Sequence, residues 1–140
     1  MSIKIVVDTS IIVKWLNKSN EQYVEKADSL MEAALEGDIE LVAPELAKYE
    51  IGNTLLFSKK LTPSEASVSL DTAYSLPITF ITESEELAKE TFTLAHNSGI
   101  TYYDASFLAL AKKYEATLVT ENIKHQGKIK NIKVRHLKDY

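Results

Sequence analysis

Four stretches of this sequence place acids where they could share a task. Asp8 follows the β-branched run Ile3–Val7, and Glu50 lies mid-chain in a helical stripe with Leu46, Asn53 and Phe57. Asp104 opens a late helix, and Glu121 and Asn122 follow Leu118-Val-Thr120. Carboxylates brought within ~4 Å of one another repel by several kcal/mol per pair, so a cluster of them persists only with bound protons or a cation. The ligands on offer are oxygens, since the chain has no Cys and no His near these positions. Such a set selects a hard ion, Mg²⁺ or Mn²⁺. An ion held this way can activate water and stabilise charge on a phosphoryl group in an in-line displacement.

Each acid also has a plain structural role open to it. Asp8 can cap the helix that follows it. Glu50 can sit on a helix border with its head in water, although a carboxylate within a half-apolar stripe must otherwise find a partner, change its pKa or face a cavity. Asp104, in a first helical turn after Thr101, complements the helix dipole. One shared location would distinguish a site from three separate caps.

The elements that must position these acids alternate along the chain. Ile3–Val7 reads as a strand, and Asp8-Thr9-Ser10 caps an apolar helix through Trp15 and Leu16. Asn20 is placed to cap a second helix to about Glu36, stopped by Gly37. Residues 40–43 read as a short strand and Pro44 as the first turn of a third helix through Phe57. Thr62-Pro63-Ser64-Glu65 carries the capping-box pattern, for a helix ending near Leu76-Pro77. Ile78–Ile81 reads as a strand, and the next helix starts at about residues 82–86 and runs to His96 or Asn97, ahead of Gly99. Thr101 then caps a helix over residues 102–114, with strands at 116–120 and, on an edge, 133–137. This alternation predicts a single α/β domain, residues 1–140, with a mostly parallel central sheet and helices on both faces. Ligands of such sheets bind beyond the carboxyl ends of the strands, where the strand order reverses. Asp8 and Glu121-Asn122 meet there if their strands are central.

Composition removes competing chemistries. The absence of Cys excludes disulfides, zinc-thiolate sites, iron–sulfur clusters and cysteine nucleophiles. There is no Gly-x-Ser-x-Gly elbow, and the glycines stand alone at 37, 52, 99 and 127, so no Gly-rich phosphate loop exists. A haloacid-dehalogenase-like phosphatase wants a second Asp two residues after Asp8, where this chain has Ser10. His96, His125 and His136 form no ligand pair and read as surface or tail residues. No apolar run reaches the ~18 residues of a membrane span, nor the h-region of a signal peptide; the expectation is a cytoplasmic protein with no membrane partner. The net charge of −4 conceals six bases and no acid from Lys124 to Lys138.

Taken in order, Val-Val-Asp8-Thr-Ser10, Ala-Pro-Glu-Leu-Ala-Lys-Tyr-Glu50-Ile-Gly-Asn53, Tyr-Tyr-Asp104-Ala and Leu-Val-Thr120-Glu-Asn122 resemble the PIN-domain signature, over essentially the whole chain. They are similar in particular to the VapC-like toxins of type II toxin–antitoxin pairs. That resemblance implies an endoribonuclease dependent on Mg²⁺ or Mn²⁺, usually a homodimer, neutralised by a small antitoxin that inserts into or covers the active site. It makes Asp8, Glu50 and Asp104 the catalytic, metal-binding acids. Ser10 becomes the hydroxyl supporting the first acid or its water, and Asn53 the polar residue one turn past Glu50. The family's fourth acid usually stands two residues after the threonine, where this chain has Asn122, an uncharged metal ligand with Glu121 beside it as a substitute.

Two functions follow. In the first, Asp8, Glu50 and Asp104 hold the ion, metal-bound water attacks an RNA backbone phosphorus, and the basic tail, Lys124, Lys128 and Lys130 among it, holds flanking phosphates. In the second, the missing fourth charge leaves a catalytically weakened PIN scaffold that binds RNA or protein. The intact trio favours the first and Asn122 the second. Surplus apolar residues at Ile11-Ile12-Val13, Trp15-Leu16 and Leu55-Leu56-Phe57 add the expectation of a symmetric homodimer.

Overall fold

A computed structural model of the chain describes residues 3–123 and 129–140. Its centre is β1 (Ile3–Val7), flanked by β2 (Ile39–Pro44) and β4 (Thr117–Thr120), with β3 (Ile78–Ile81) outside β2 and β5 (Val134–His136) outside β4. Every pairing is parallel. Strands covered on both faces must be apolar on both, which is why they read as continuous rather than alternating runs. Accordingly Ile5, Val6, Val7, Leu41, Val42, Ala43, Leu118 and Val119 are all buried.

The connections explain where the helices lie. α1 (Thr9–Leu16) and α2 (Val24–Leu35) link β1 to β2, and α3 (Leu46–Phe57) and α4 (Pro63–Ser75) link β2 to β3. α5 (Glu85–Ser98) and α6 (Tyr102–Lys113) then carry the chain back across the sheet to β4. Right-handed crossovers put the first four on one face and the last two on the other. The packing agrees: α1 rests on α2, α3 and α4, while α6 lies between α5 and strands β1, β2 and β4. Covered on all sides, α6 buries every residue from 105 to 111. The chain leaves β1 toward β2 and returns on the β4 side, so the order reverses at β1. Its carboxyl end, beside that of β4, opens the crevice.

Local sequence signals set most of the boundaries. The Thr62–Glu65 capping box is formed in both directions, Ser84 and Thr101 cap α5 and α6, and Gly99 ends α5 at φ +65°. Two expectations fail. Asn20 does not cap α2, which starts at Val24 after Tyr23, a left-handed residue with no side-chain cap. Residues 19–22 are held by contacts to two lysines described below, not by a cap. Pro44 ends β2 and does not start α3. It lies beyond the reach of β1, whose register stops at Val6 opposite Val42, and pairs only with Ile81 of β3.

Candidate active site

Val7 lies opposite Val119 in the sheet, which brings Asp8 against the end of β4. Asp8 is only 7 % exposed. Its Oδ1 accepts from Ser10 Oγ at 2.5 Å and from the Ile11 N–H at 3.3 Å, and its Oδ2 accepts from Thr120 Oγ1. Burial pushes this carboxyl up to about 6; the three donors oppose the rise and the nearby Glu121 carboxylate adds to it. Asp8 is thus both the cap of α1 and a buried acid at the crevice.

Glu50 reaches the same place from α3. Its Oε1 accepts from Thr9 Oγ1 at 2.6 Å. Burial raises its pKa, the Thr9 bond opposes that, and the charge of Asp104 raises it further. The stripe on which Glu50 lies touches the core only at Leu46: Asn53 and Phe57 are exposed, and Leu46, Glu50 and Asn53 face a cleft. Asp104 sits in the first turn of α6, its N–H donating to Thr101 Oγ1 at 3.0 Å. Its carboxylate is close enough to Glu50 for the two to repel.

The cleft has a volume of about 890 Å³. Thr9, Ser10, Glu50, Asn53 and Glu121 line it, and Asp8 lies beneath Ser10. Asn122 is exposed and absent from the lining; its N–H donates to Thr120 Oγ1 at 2.8 Å, and that turn sends Glu121 inward. The position that the spacing favours and the position that faces the cleft therefore differ by one residue.

The sequence reading missed Lys14. Its ammonium, 1 % exposed, contacts Glu121 at 2.7 Å, Glu21 at 2.9 Å and the Gln22 carbonyl at 2.6 Å. Lys59 holds the other oxygen of Glu21 at 2.6 Å and donates to the Ser19 carbonyl. These two lysines tie residues 19–22 to the cleft wall. Burial lowers the Lys14 pKa, but its bonds to Glu121 and Glu21 more than offset this, and the ammonium is held above its ordinary value. A lysine inside Ile11-Ile12-Val13-Lys14-Trp15-Leu16 was the available signal, because a charge within a buried helix requires a counter-ion. Among the basic-tail candidates, Lys124 and Lys128 lie outside the described residues, and Lys130 is exposed and does not line the cleft. His136 belongs to β5, where Tyr23 packs edge-on against it.

Among the described residues no three Asp, Glu, His or Cys side chains form a ready ion cage. The acids couple instead as two pairs, Asp8 with Glu121 and Glu50 with Asp104. Among the described residues, the cleft lining offers the carboxylates of Glu21, Glu50 and Glu121, the hydroxyls of Thr9 and Ser10 and the amides of Asn20 and Asn53, with no sulfur or imidazole. This oxygen set suits a hard divalent ion.

The PIN domain profile matches residues 5–130. This chain belongs to the PIN-domain family. The PIN domain here is 32 % identical over 122 residues to ribonuclease VapC3 of Pyrobaculum aerophilum, covering 84 % of this chain and 88 % of that protein. Its fold is similar to that of VapBC2 from Rickettsia felis, solved bound to a DNA fragment from their promoter, with TM-score 0.74 at 21 % identity over 96 % of this chain and 98 % of that one. It is also similar to Mycobacterium tuberculosis VapC20, a sarcin-ricin loop cleaving toxin, with TM-score 0.66 at 12 % identity over 91 % and 98 % of the two chains.

Proposed function

We propose that this PIN domain is a metal-dependent endoribonuclease and the toxin of a toxin–antitoxin pair, acting in the cytoplasm. The observation that carries the reading is the cleft at the switch point, lined by Glu50 and Glu121, with Asp8 bonded behind its Ser10 wall and Asp104 near enough for its charge to act on Glu50. The likeness to VapC3 along most of both chains supports it. Asp8 and Asp104 would hold Mg²⁺ or Mn²⁺, with Glu50 beside them. Such an ion, when bound, supplies a water of lowered pKa and charge stabilisation at the phosphorus. Ser10 and Thr120 fix the Asp8 carboxylate by donating to its two oxygens, and Thr9 fixes Glu50. Asn53, exposed one turn past Glu50, offers an amide to the strand entering the cleft. The test is cleavage of single-stranded RNA by the purified chain, freed of any bound partner, with and without Mn²⁺. Absence of metal-dependent cleavage over a varied RNA panel hands the function to the binding-scaffold reading.

Stability gives an independent check on the ion. Asp8 titrates near 6 when folded against an ordinary 3.8, so the folded state holds this proton more tightly than the unfolded one. The penalty is absent below the ordinary pKa, grows as pH rises through the folded one, and amounts to about 3 kcal/mol at most above it. At pH 7.5 without metal, Asp8→Asn should therefore melt above wild type, and the two should converge near pH 4. Millimolar Mn²⁺ should raise the melting temperature of wild type and leave Asp8→Asn unmoved, because a ligand of the folded state alone shifts the equilibrium toward it. Identical responses to Mn²⁺ would remove Asp8 from the ion site.

Assembly belongs to the same reading. Ile11, Ile12, Val13 and Leu55 are consumed by the core, so they offer nothing to a partner. Leu56 and Phe57 remain 58 % and 67 % exposed, beside an apolar hollow of about 260 Å³ between α3 and α4. We propose that exposed apolar surface of this kind is shared between a second copy, as a symmetric homodimer, and a small antitoxin. Sedimentation at micromolar concentration should show the dimer; a monomer refutes it. No described helix is long and apolar enough to cross a membrane.

A further inference from the structure

A second hollow, of about 250 Å³, adjoins the acidic cleft across a ridge. Leu46, Tyr49 and Tyr103 line both spaces. The two tyrosines stand directly before Glu50 and Asp104 in sequence, and they are 76 % and 60 % exposed. Large aromatic faces left in water beside a cleft are poor for stability and suited to stacking. Beyond the ridge lie Glu45, Glu83 and Tyr102. The Tyr102 hydroxyl donates to Glu83 Oε1 at 2.5 Å, and Lys48 partners Glu45 at 3.0 Å.

We propose that this ridge and hollow bind one base of a single-stranded RNA whose backbone lies in the acidic cleft; the inference rests on the ribonuclease reading. Three features select a base over other ligands. The hollow is smaller than the roughly 300–1,000 Å³ of a drug-sized site, so it takes one heterocycle. Among the described residues its lining contains carboxylates and no Lys or Arg, which disfavours phosphate. Stacking on exposed aromatics is the usual way that proteins hold single strands. The carboxylate of Glu83 accepts hydrogen bonds and cannot donate them. It matches the amino edge of a base such as cytosine and opposes the carbonyl that uracil presents at the same ring position. The specificity follows from that acceptor: an amino-bearing base is preferred over uracil.

Short labelled hexacytidylate and hexauridylate, followed by fluorescence anisotropy with Ca²⁺ in place of Mn²⁺ to neutralise the cleft and with the oligomers checked intact on a gel, test the site directly. Wild type should bind hexacytidylate at least about fivefold more tightly than hexauridylate. Tyr49→Ala and Tyr103→Ala should each weaken hexacytidylate binding about tenfold or more without changing the melting temperature, and Tyr103→Phe, which keeps the ring, should restore it. Glu83→Gln should erase the preference between the two oligomers. The proposal is overturned if wild type binds neither oligomer, or if the alanine variants bind as wild type does. It is equally overturned if those variants convert a dimer to a monomer, which makes the ridge a subunit interface. Cleavage of longer RNA with Mn²⁺ separates the two readings. Ring-dependent binding with no cleavage removes the nuclease and keeps the base site, whereas cleavage with an unchanged KM in Tyr103→Ala does the reverse.

Discussion

Asp104→Asn is expected to eliminate Mn²⁺-dependent RNA cleavage, a loss of at least about 10²-fold, whereas Asn122→Asp keeps or increases it. The two substitutions exchange the same groups in opposite directions, so their signs depend on what the cleft holds. A carboxylate added near a divalent ion is attractive; added to a metal-free cluster of acids it contributes only repulsion. The charge of Asp104 raises the pKa of Glu50, so without an ion Asp104→Asn should lower that pKa. Loss of cleavage together with a lowered Glu50 pKa in the absence of metal is the joint signature expected. Glu121→Gln then asks which residue serves as the fourth acid. Glu121 lines the cleft and Asn122 does not, so a large loss of cleavage is the expected result. An unchanged rate would leave Glu121 as a partner of Lys14 alone. If wild type cleaves nothing and Asn122→Asp rescues nothing, the acids serve the scaffold reading.

The legible parts of this molecule are those that depend on neighbours in sequence. The strand before Asp8, the Thr62–Glu65 box and the caps at Ser84 and Thr101 are local chemistry, and their elements lie within a few residues of the expected places. Glu50 was identifiable because an acid in a half-apolar stripe has few options, and it takes three of them together: a hydroxyl partner, a raised pKa and a cavity. The failures involve residues distant in sequence. Pro44 obeys its pairing with Ile81 over its preference for a helix start. Asn20 lies in a segment positioned by Lys14 and Lys59, and no cap rule describes an ion pair between residues 38 positions apart. The turn after β4 is illegible for another reason. Inside a strand, alternation states which way each side chain points, but past Thr120 that rule ends and the spacing cannot choose between Glu121 and Asn122.

Lys14→Met is expected to destabilise the chain by about 3 kcal/mol, the lower end of the cost of breaking a buried ion pair. The lower end applies because Glu121 and Glu21 keep side-chain exposures of 26 % and 17 %, so water screens part of the loss. The stem would be replaced almost isosterically, hence the cost would come from two acids left without their shared ammonium and from the orphaned Gln22 carbonyl. Lys59 would still hold Glu21, which limits the damage on that side. Among the described residues no second cation pairs with Glu121, and its released charge would fall on Asp8, whose pKa it already raises. Two measurements follow from that asymmetry. In urea melts, Lys14→Met combined with Glu121→Gln should recover more stability than Lys14→Met combined with Glu21→Gln, because among the described residues Glu121 pairs with Lys14 alone whereas Glu21 keeps Lys59. Added Mn²⁺ should stabilise Lys14→Met more than wild type, since a divalent ion replaces at the cleft some of the positive charge that the substitution removes. A loss below about 0.5 kcal/mol would mean that the buried ammonium is structurally idle, and equal rescue by both double variants would mean that Lys14 secures the 19–22 segment and not the acid at the cleft.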